Sequence, residues 1–300
     1  MISFKKILIP VDFSEHSKLA AKKALSLAQT CQATVYVLHV GETAEKSAEA
    51  LCQFIEALAP PQNVNLKKLV AQGTPATVIL ATAKKLAPDA IIMGHRGLSG
   101  LKLMVQGSVA EEVLREARCP VLVIKKKKPA EYNEYVLPQL RNMEAFFQAD
   151  KILVPLDFSP ASQEAFRYAA YLAAHYSSTI YTLTVFDKKY KELSDDRKKH
   201  TAVIVRGKKI QLWKEFPALL KTTPHHDAKS RIKRILLDGD PFAKIDSIVQ
   251  KKEIDLVIMG TNGRTGLEHF LIGSVAEKVL RAVACPVMTI RSPKPGLALR

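Results

Sequence analysis

The chain repeats itself, and no other feature limits its folds as strongly. Lys6-Ile7-Leu8-Ile9-Pro10-Val11-Asp12-Phe13-Ser14 returns as Lys151-Ile152-Leu153-Val154-Pro155-Leu156-Asp157-Phe158-Ser159, with seven of nine residues identical. Further on, Asp89 to Lys125 aligns without gaps on Asp255 to Arg291, about half identical and mostly apolar for apolar elsewhere. The front of the repeat is offset by 145 residues and the back by 166, so the second copy carries 21 extra residues between its ends. That period is too long for a solenoid unit and predicts two tandem domains. The expected division is 1–128, a linker at 129–148, a second domain at 149–292 with a basic insertion around 188–230, and a tail at 293–300. Within the linker, Gln139 to Gln148 reads as a short helix.

Each copy alternates strand and helix signals. In the first, Ile7 to Val11 is a short β-branched and apolar run, followed by cap-type residues Ser14-Glu15-His16-Ser17 and an Ala/Leu/Lys-rich helix to about Thr30. Thr34 to Val40 reads as a strand, the residues around Ala50 to Leu58 as a helix stopped by Pro60-Pro61, and Asn63 to Val70 as a third strand. In Gly73-Thr74-Pro75, Thr74 is an expected N-cap and Pro75 an expected first helical residue. Ala90 to Met93, a glycine-rich loop, a helix over Ser108 to Arg115 and a strand over Pro120 to Ile124 complete the copy. The second copy repeats the series from Ile152 to Ile290. This alternation predicts an α/β fold, two domains each with a five-stranded parallel sheet and helices on both faces.

The loops after the fourth strands are GHRGLSGLKLMVQGS, from Gly94, and GTNGRTGLEHFLIGS, from Gly260. Both place glycines at G-x2-G-x9-G-S and lead into a helix, where unpaired N–H groups and the helix dipole favour an anion such as phosphate. The glycines would allow tight turning and close ligand approach, and Ser108 would cap its helix and reach a phosphate oxygen. No GxxxxGK[ST] is present and no GxGxxG follows a strand, which excludes P-loop and dinucleotide signatures. Asp12-Phe13-Ser14 after the first strand, in place of an SGG loop, argues against an ATP pyrophosphatase-type enzyme.

Other chemistry is thin. Cys31, Cys52, Cys119 and Cys285 form no CxxC pair and read as buried thiols. His225-His226-Asp227 has metal-ligand types but sits in a loop-like stretch, and His39 reads as a packed strand histidine. No apolar run approaches the ~20 residues needed to span a bilayer, and Met1 to Lys6 leads straight into a strand, so a cytoplasmic protein is expected. The net charge of +16 is concentrated in Lys125 to Lys128 and between Lys188 and Arg234. It reads as a solvated surface, or as a site for an acidic protein, nucleic acid or anionic lipid. Trp213, Phe216, Leu219 and Leu220 predict a small amphipathic helix that docks on its own domain.

The glycine spacing, with an Asp closing the first strand of each copy, resembles the universal stress protein family over both domains, failing only at the linker and insertion. The resemblance implies the adenine nucleotide alpha hydrolase-like, Rossmann-like fold and ATP, with Mg2+, as ligand. It implies a stress-response or regulatory role through nucleotide-dependent stability or partner binding, with at most weak hydrolysis and no catalytic residue. It also implies an internal pseudo-dimer through the last strands, Val121 to Ile124 and Val287 to Ile290, and a homodimer. By position, Asp12 and Asp157 would lie at the base and ribose end, and Val40 and Val185 would offer backbone groups to the adenine edge. Gly94, Gly97, Gly107, Ser108 and Val109 would wrap ribose and phosphates in one copy, and Gly260, Gly263, Gly273, Ser274 and Val275 in the other. Two departures stand out: His95-Arg96 replaces the small pair Thr261-Asn262, and the insertion enters after Val185, near the expected adenine end.

Overall fold

The computed structural model describes residues 2–95, 109–125, 147, 149–186, 188–191, 201–205, 208–221, 231–261 and 272–291, with the backbone alone at 188–191 and 201–213. Contacts divide the chain into two compact units, one built on residues 3–148 and one on 149–283.

In the first unit the strands are β1 (Lys6–Val11), β2 (Thr34–Val40), β3 (Leu66–Ala71), β4 (Ala90–Gly94) and β5 (Val121–Ile124). They pair in the order β5-β4-β1-β2-β3, all parallel, with Ile7 set between Val35 and Ala90. Ile7, Leu8, Ile9, Val35, Val37, Ile91, Ile92 and Leu122 are completely buried. Such runs make a sheet covered on both faces, which is why they do not alternate with polar residues. The helices are α1 (Glu15–Cys31), α2 (Ala44–Leu58), α3 (Pro75–Leu86) and α4 (Val109–Glu116). The alanine-rich face of α1, including Ala20, Ala21, Ala24 and Ala28, is buried, and the helix packs on β1 and β4.

The strand order sets the site. The chain moves outward from β1 through β3 and then crosses back to β4, so the order reverses between β1 and β4. Crevices at such a reversal, beyond the carboxyl ends of the strands, are where open α/β sheets bind ligands. Asp12 follows β1, and Gly94 ends β4.

The second repeat of the sequence reproduces this with β6 (Lys151–Pro155), β7 (Thr179–Phe186), β11 (Ile232–Asp238), β12 (Leu256–Gly260) and β13 (Val287–Ile290), in the order β11-β7-β6-β12-β13. The reversal falls between β6 and β12. Helices α5 (Pro160–Tyr176), α7 (Pro241–Lys252) and α8 (Ser274–Ala282) take the places of α1, α3 and α4. The series is therefore not a plain repetition, because the insertion builds its own antiparallel sheet of β8 (Lys188–Lys191), β9 (Thr201–Val205) and β10 (Lys208–Gln211). Helix α6 (Leu212–Lys221) follows it. Phe216 and Leu219 of α6 are buried, and the Phe216 ring lies 6.2 Å from Phe166 of α5 and beneath the Arg234 guanidinium at 5.0 Å. The expected docking helix is thus found.

Smaller corrections have local reasons. β3 begins at Leu66, three residues late, because Val64 N–H bonds back to Pro61 O in a turn. Thr74 occupies the N-cap of α3, but its hydroxyl makes no capping bond; Pro75 fixes the first turn. β7 runs one residue past Val185. Cys31 and Cys285 are buried as expected, whereas Cys52 and Cys119 are part-exposed. The linker helix expected over Gln139 to Gln148, apart from Phe147, lies outside the described residues. Among the described residues no helix is long and apolar enough to cross a membrane.

Candidate functional site

The turn between the first strand and first helix is built from side chains that fold back on it. Asp12 Oδ1 accepts from Ser14 N–H at 3.1 Å and from the Ser14 hydroxyl at 2.6 Å. Ser14 Oγ in turn accepts from Ser17 N–H at 3.2 Å, capping α1, and Ser17 Oγ donates to Ser14 O at 2.9 Å. The turn forces Phe13 to φ 64°. In the second unit Asp157, Ser159 and Ser162 make the same four bonds at 3.0, 2.6, 3.3 and 3.1 Å, and Phe158 sits at φ 59°.

A further tie holds the strand end. His39 Nδ1 lies 2.9 Å from Val11 O, and since a carbonyl only accepts, Nδ1 carries the hydrogen. At the equivalent place Thr184 Oγ1 donates to Leu156 O, also at 2.9 Å. His39 is therefore a packed, hydrogen-bonded strand residue, stacked on Phe13 with ring centroids 4.1 Å apart.

Gly94 and Gly260 act differently from the expectation of tight turning. Neither has a positive φ; among the described glycines only Gly73 and Gly239 do. A Cβ on Gly94 would lie 2.8 Å from the His16 carbonyl, and one on Gly260 2.7 Å from the Ala161 Cβ. These glycines let the first turn of α1 or α5 press against the end of β4 or β12.

The loop's far end is described in the second unit. Gly273 N–H donates to Thr261 O at 2.8 Å, and Gly273 is itself the N-cap of α8. Ser274 is the first helical residue, so the capping role expected of this serine position is not found there; no side chain caps α8. Ser274, Val275 and Ala276 belong to the first turn, whose N–H groups have no acceptor within the helix. In the first unit α4 begins at Val109, and Gly97, Gly107 and Ser108 lie outside the described residues, as does Gly263. Val40 closes β2 opposite Ala71, and Val185 pairs with Leu237.

The universal stress protein family model matches residues 3–125 and again 148–291, the two stretches that carry these turns. The chain belongs to the universal stress protein family. It is 36% identical over 143 residues to universal stress protein MJ0531 of Methanocaldococcus jannaschii, covering 42% of this chain and 84% of that one. To universal stress protein Mb2028c of Mycobacterium bovis it is 25% identical over 247 residues, 79% of this chain and 72% of that protein. Among solved structures, a universal stress protein from Archaeoglobus fulgidus matches with a TM-score of 0.64 at 20% identity, covering 98% of this chain and 99% of its own, which establishes the fold.

The two universal stress protein repeats differ where the loop begins. His95 N–H donates to Ile124 O at 3.1 Å and Thr261 N–H to Ile290 O at 2.9 Å, so the backbone is shared. Thr261 is buried, its hydroxyl turned to Ile290 O at 3.5 Å. His95 is half-buried, with its ring 5.6 Å from that of His16, a position held by Ala161 in the second repeat. Lys125, directly after β5, is only 6% exposed, and burial pushes its ammonium down to about 8. The sequence reading missed this buried lysine because it heads a run of four that looks like a solvated tail. Desolvation pushes the Cys119 thiol up to about 12, which disfavours its thiolate at neutral pH. No cluster of three or more metal-ligating side chains occurs among the described residues, and His225-His226-Asp227 lies outside them.

Proposed function

We propose that the protein binds an adenine nucleotide, ATP with Mg2+, at the carboxyl end of each sheet and acts in stress response by nucleotide-dependent stability or partner choice. The observation that carries this reading is one backbone frame built twice at the strand-order reversal, an Asp–Ser turn and a glycine pressed on a helix start, joined in the second repeat by a glycine, Gly273, at the N-cap of α8. In this reading Asp12 and Asp157 face the base and ribose, Val40 and Val185 the adenine edge, and the glycine loops with Ser108, Val109, Ser274 and Val275 the phosphates. Each aspartate already accepts a 2.6 Å bond from a serine hydroxyl, which suits a shape-holding carboxylate better than a base that must take a proton from water. Hydrolysis is accordingly weak at most.

Mg-ATP should raise the melting temperature of the purified chain, because a ligand that prefers the folded state stabilises it by about 2.7 kcal/mol at a hundred times its Kd. Gly273→Val, whose side chain meets the Thr261 carbonyl, should remove the second repeat's share of that gain. No shift at millimolar Mg-ATP would overturn the reading.

A second reading rests on the insertion, whose strands β8 and β10 carry Lys188, Lys189, Lys191, Lys208 and Lys209. Here the inserted sheet binds an acidic protein, nucleic acid or anionic lipid. Salt-sensitive retention on heparin that disappears when these lysines are neutralised would support it; retention that survives would reject it.

A further inference from the structure

The first 128 residues contain three histidines, His16, His39 and His95, and all three stand at the carboxyl end of the sheet. Their counterparts in the second repeat are Ala161, Thr184 and Thr261, none of which titrates. His39 and Thr184 do one job, tying a strand-end carbonyl, so that exchange is structural. The other two positions have no shared job. His95 and His16 bring two half-buried imidazoles to 5.6 Å beside Gly94, where the loop to α4 starts; Thr261 turns into the sheet and Ala161 carries no polar group.

We propose that His16 and His95 form a proton-coupled handle for the phosphate end of the ligand, so that the first repeat binds its phosphate-bearing ligand together with a proton and the second repeat does not. The proposal rests on the nucleotide reading above for the place of the ligand. Two imidazoles this close repel when both are protonated. A phosphate anion beside them reverses the balance, because each imidazolium gains an opposite charge and an N–H donor for a phosphate oxygen. Binding therefore draws a proton from solution near the titration range of imidazole, about pH 6.5. The other charged groups at this end include Asp12 after β1, Glu15 and Lys18 on α1, Glu42 and Glu45 at the start of α2, Glu111 and Glu112 in the first turn of α4, and Lys125 after β5; His39, near the end of β2, is committed to Val11 O. Asp12 has one oxygen engaged by Ser14, so the turn already uses part of its capacity.

The test is calorimetric titration of the full chain with Mg-ATP at pH 6.5 in buffers of different ionisation enthalpy, repeated at pH 8. Wild type should take up a fraction of a proton per bound nucleotide and bind about fivefold to tenfold more tightly at the lower pH. His95→Thr, the residue the second repeat carries there, and His16→Ala should each flatten both effects, with His95→Gln as a variant that keeps bulk and polarity without titrating. Proton uptake and pH dependence unchanged in all three would overturn the proposal. If wild type holds no ATP, the nucleotide reading falls, and inorganic triphosphate titrated in the same way decides the handle alone. Uptake of a proton that is lost in His95→Thr supports it; no binding, or binding without a proton, overturns it.

Discussion

The two strand–helix turns are nearly superimposable in their bonds and unlike in what surrounds them. Asp12 and Asp157 accept from the same serine atoms within 0.1 Å of each other's distances, and Phe13 and Phe158 share a left-handed backbone. Around this frame, one repeat places His16, His39 and His95, and the other Ala161, Thr184 and Thr261. The frame depends on atoms close to the backbone, whereas the lining depends on side chains that reach beyond it. A duplicated chain can hold the first constant and vary the second.

The largest difference we expect between the halves concerns Lys125, buried where its counterpart Arg291 is part-exposed. Its ammonium is pushed from 10.5 down to about 8, so the unfolded chain holds a proton between those values that the native one releases. The cost of burying the charge is thus fully present below pH 8 and fades as pH rises to 10.5. Lys125→Met should stabilise the protein at pH 7 on the order of 3 kcal/mol and remove the rise in stability with pH across that window, measured by urea unfolding. Arg291→Met should do neither.

Next come the close-packed glycines. Gly94→Ala and Gly260→Ala each push a methyl into a helix start and should cost about 1 to 3 kcal/mol, alike in the two halves. A Gly94→Ala chain as stable as wild type would show that the first helix start yields where the second does not. Smaller again, Thr184→Ala leaves a buried carbonyl without its tie and should cost about 1 kcal/mol, while His39→Ala also forfeits the ring stacked on Phe13 and should cost somewhat more. Comparable in size, Ser14→Ala and Ser159→Ala each remove an N-cap worth about 1 kcal/mol together with the hydroxyl bond to Asp12 or Asp157, and should match closely, read as equal losses in melting temperature.

Much of this frame was legible in the sequence. Continuous apolar runs such as Ile7 to Val11 identified buried parallel strands, and Ser14 announced its helix, because those signals are local. The glycine spacing was legible but not its reason: a missing Cβ shows its purpose only against the partner it would strike, and His16 is far from Gly94 in sequence. The inserted sheet was not legible at all. Lys188 to Lys191 and Lys208 to Gln211 have no apolar alternation, and they are strands because both pair with β9. α6 was visible in its apolar positions despite Pro217 within it, since burial of Phe216 and Leu219 outweighs one lost backbone bond.

The carbonyl tie at the end of the first strand is made by an imidazole in one half and a hydroxyl in the other, at the same 2.9 Å. A joint that accepts either part places little restriction on the residue that supplies it. Mutation at that position can therefore wander between donor side chains of quite different size and charge without dismantling the turn, and each passage alters what the crevice offers to a visitor. A fold with interchangeable fasteners at the rim of its binding crevice can change its ligands faster than its shape.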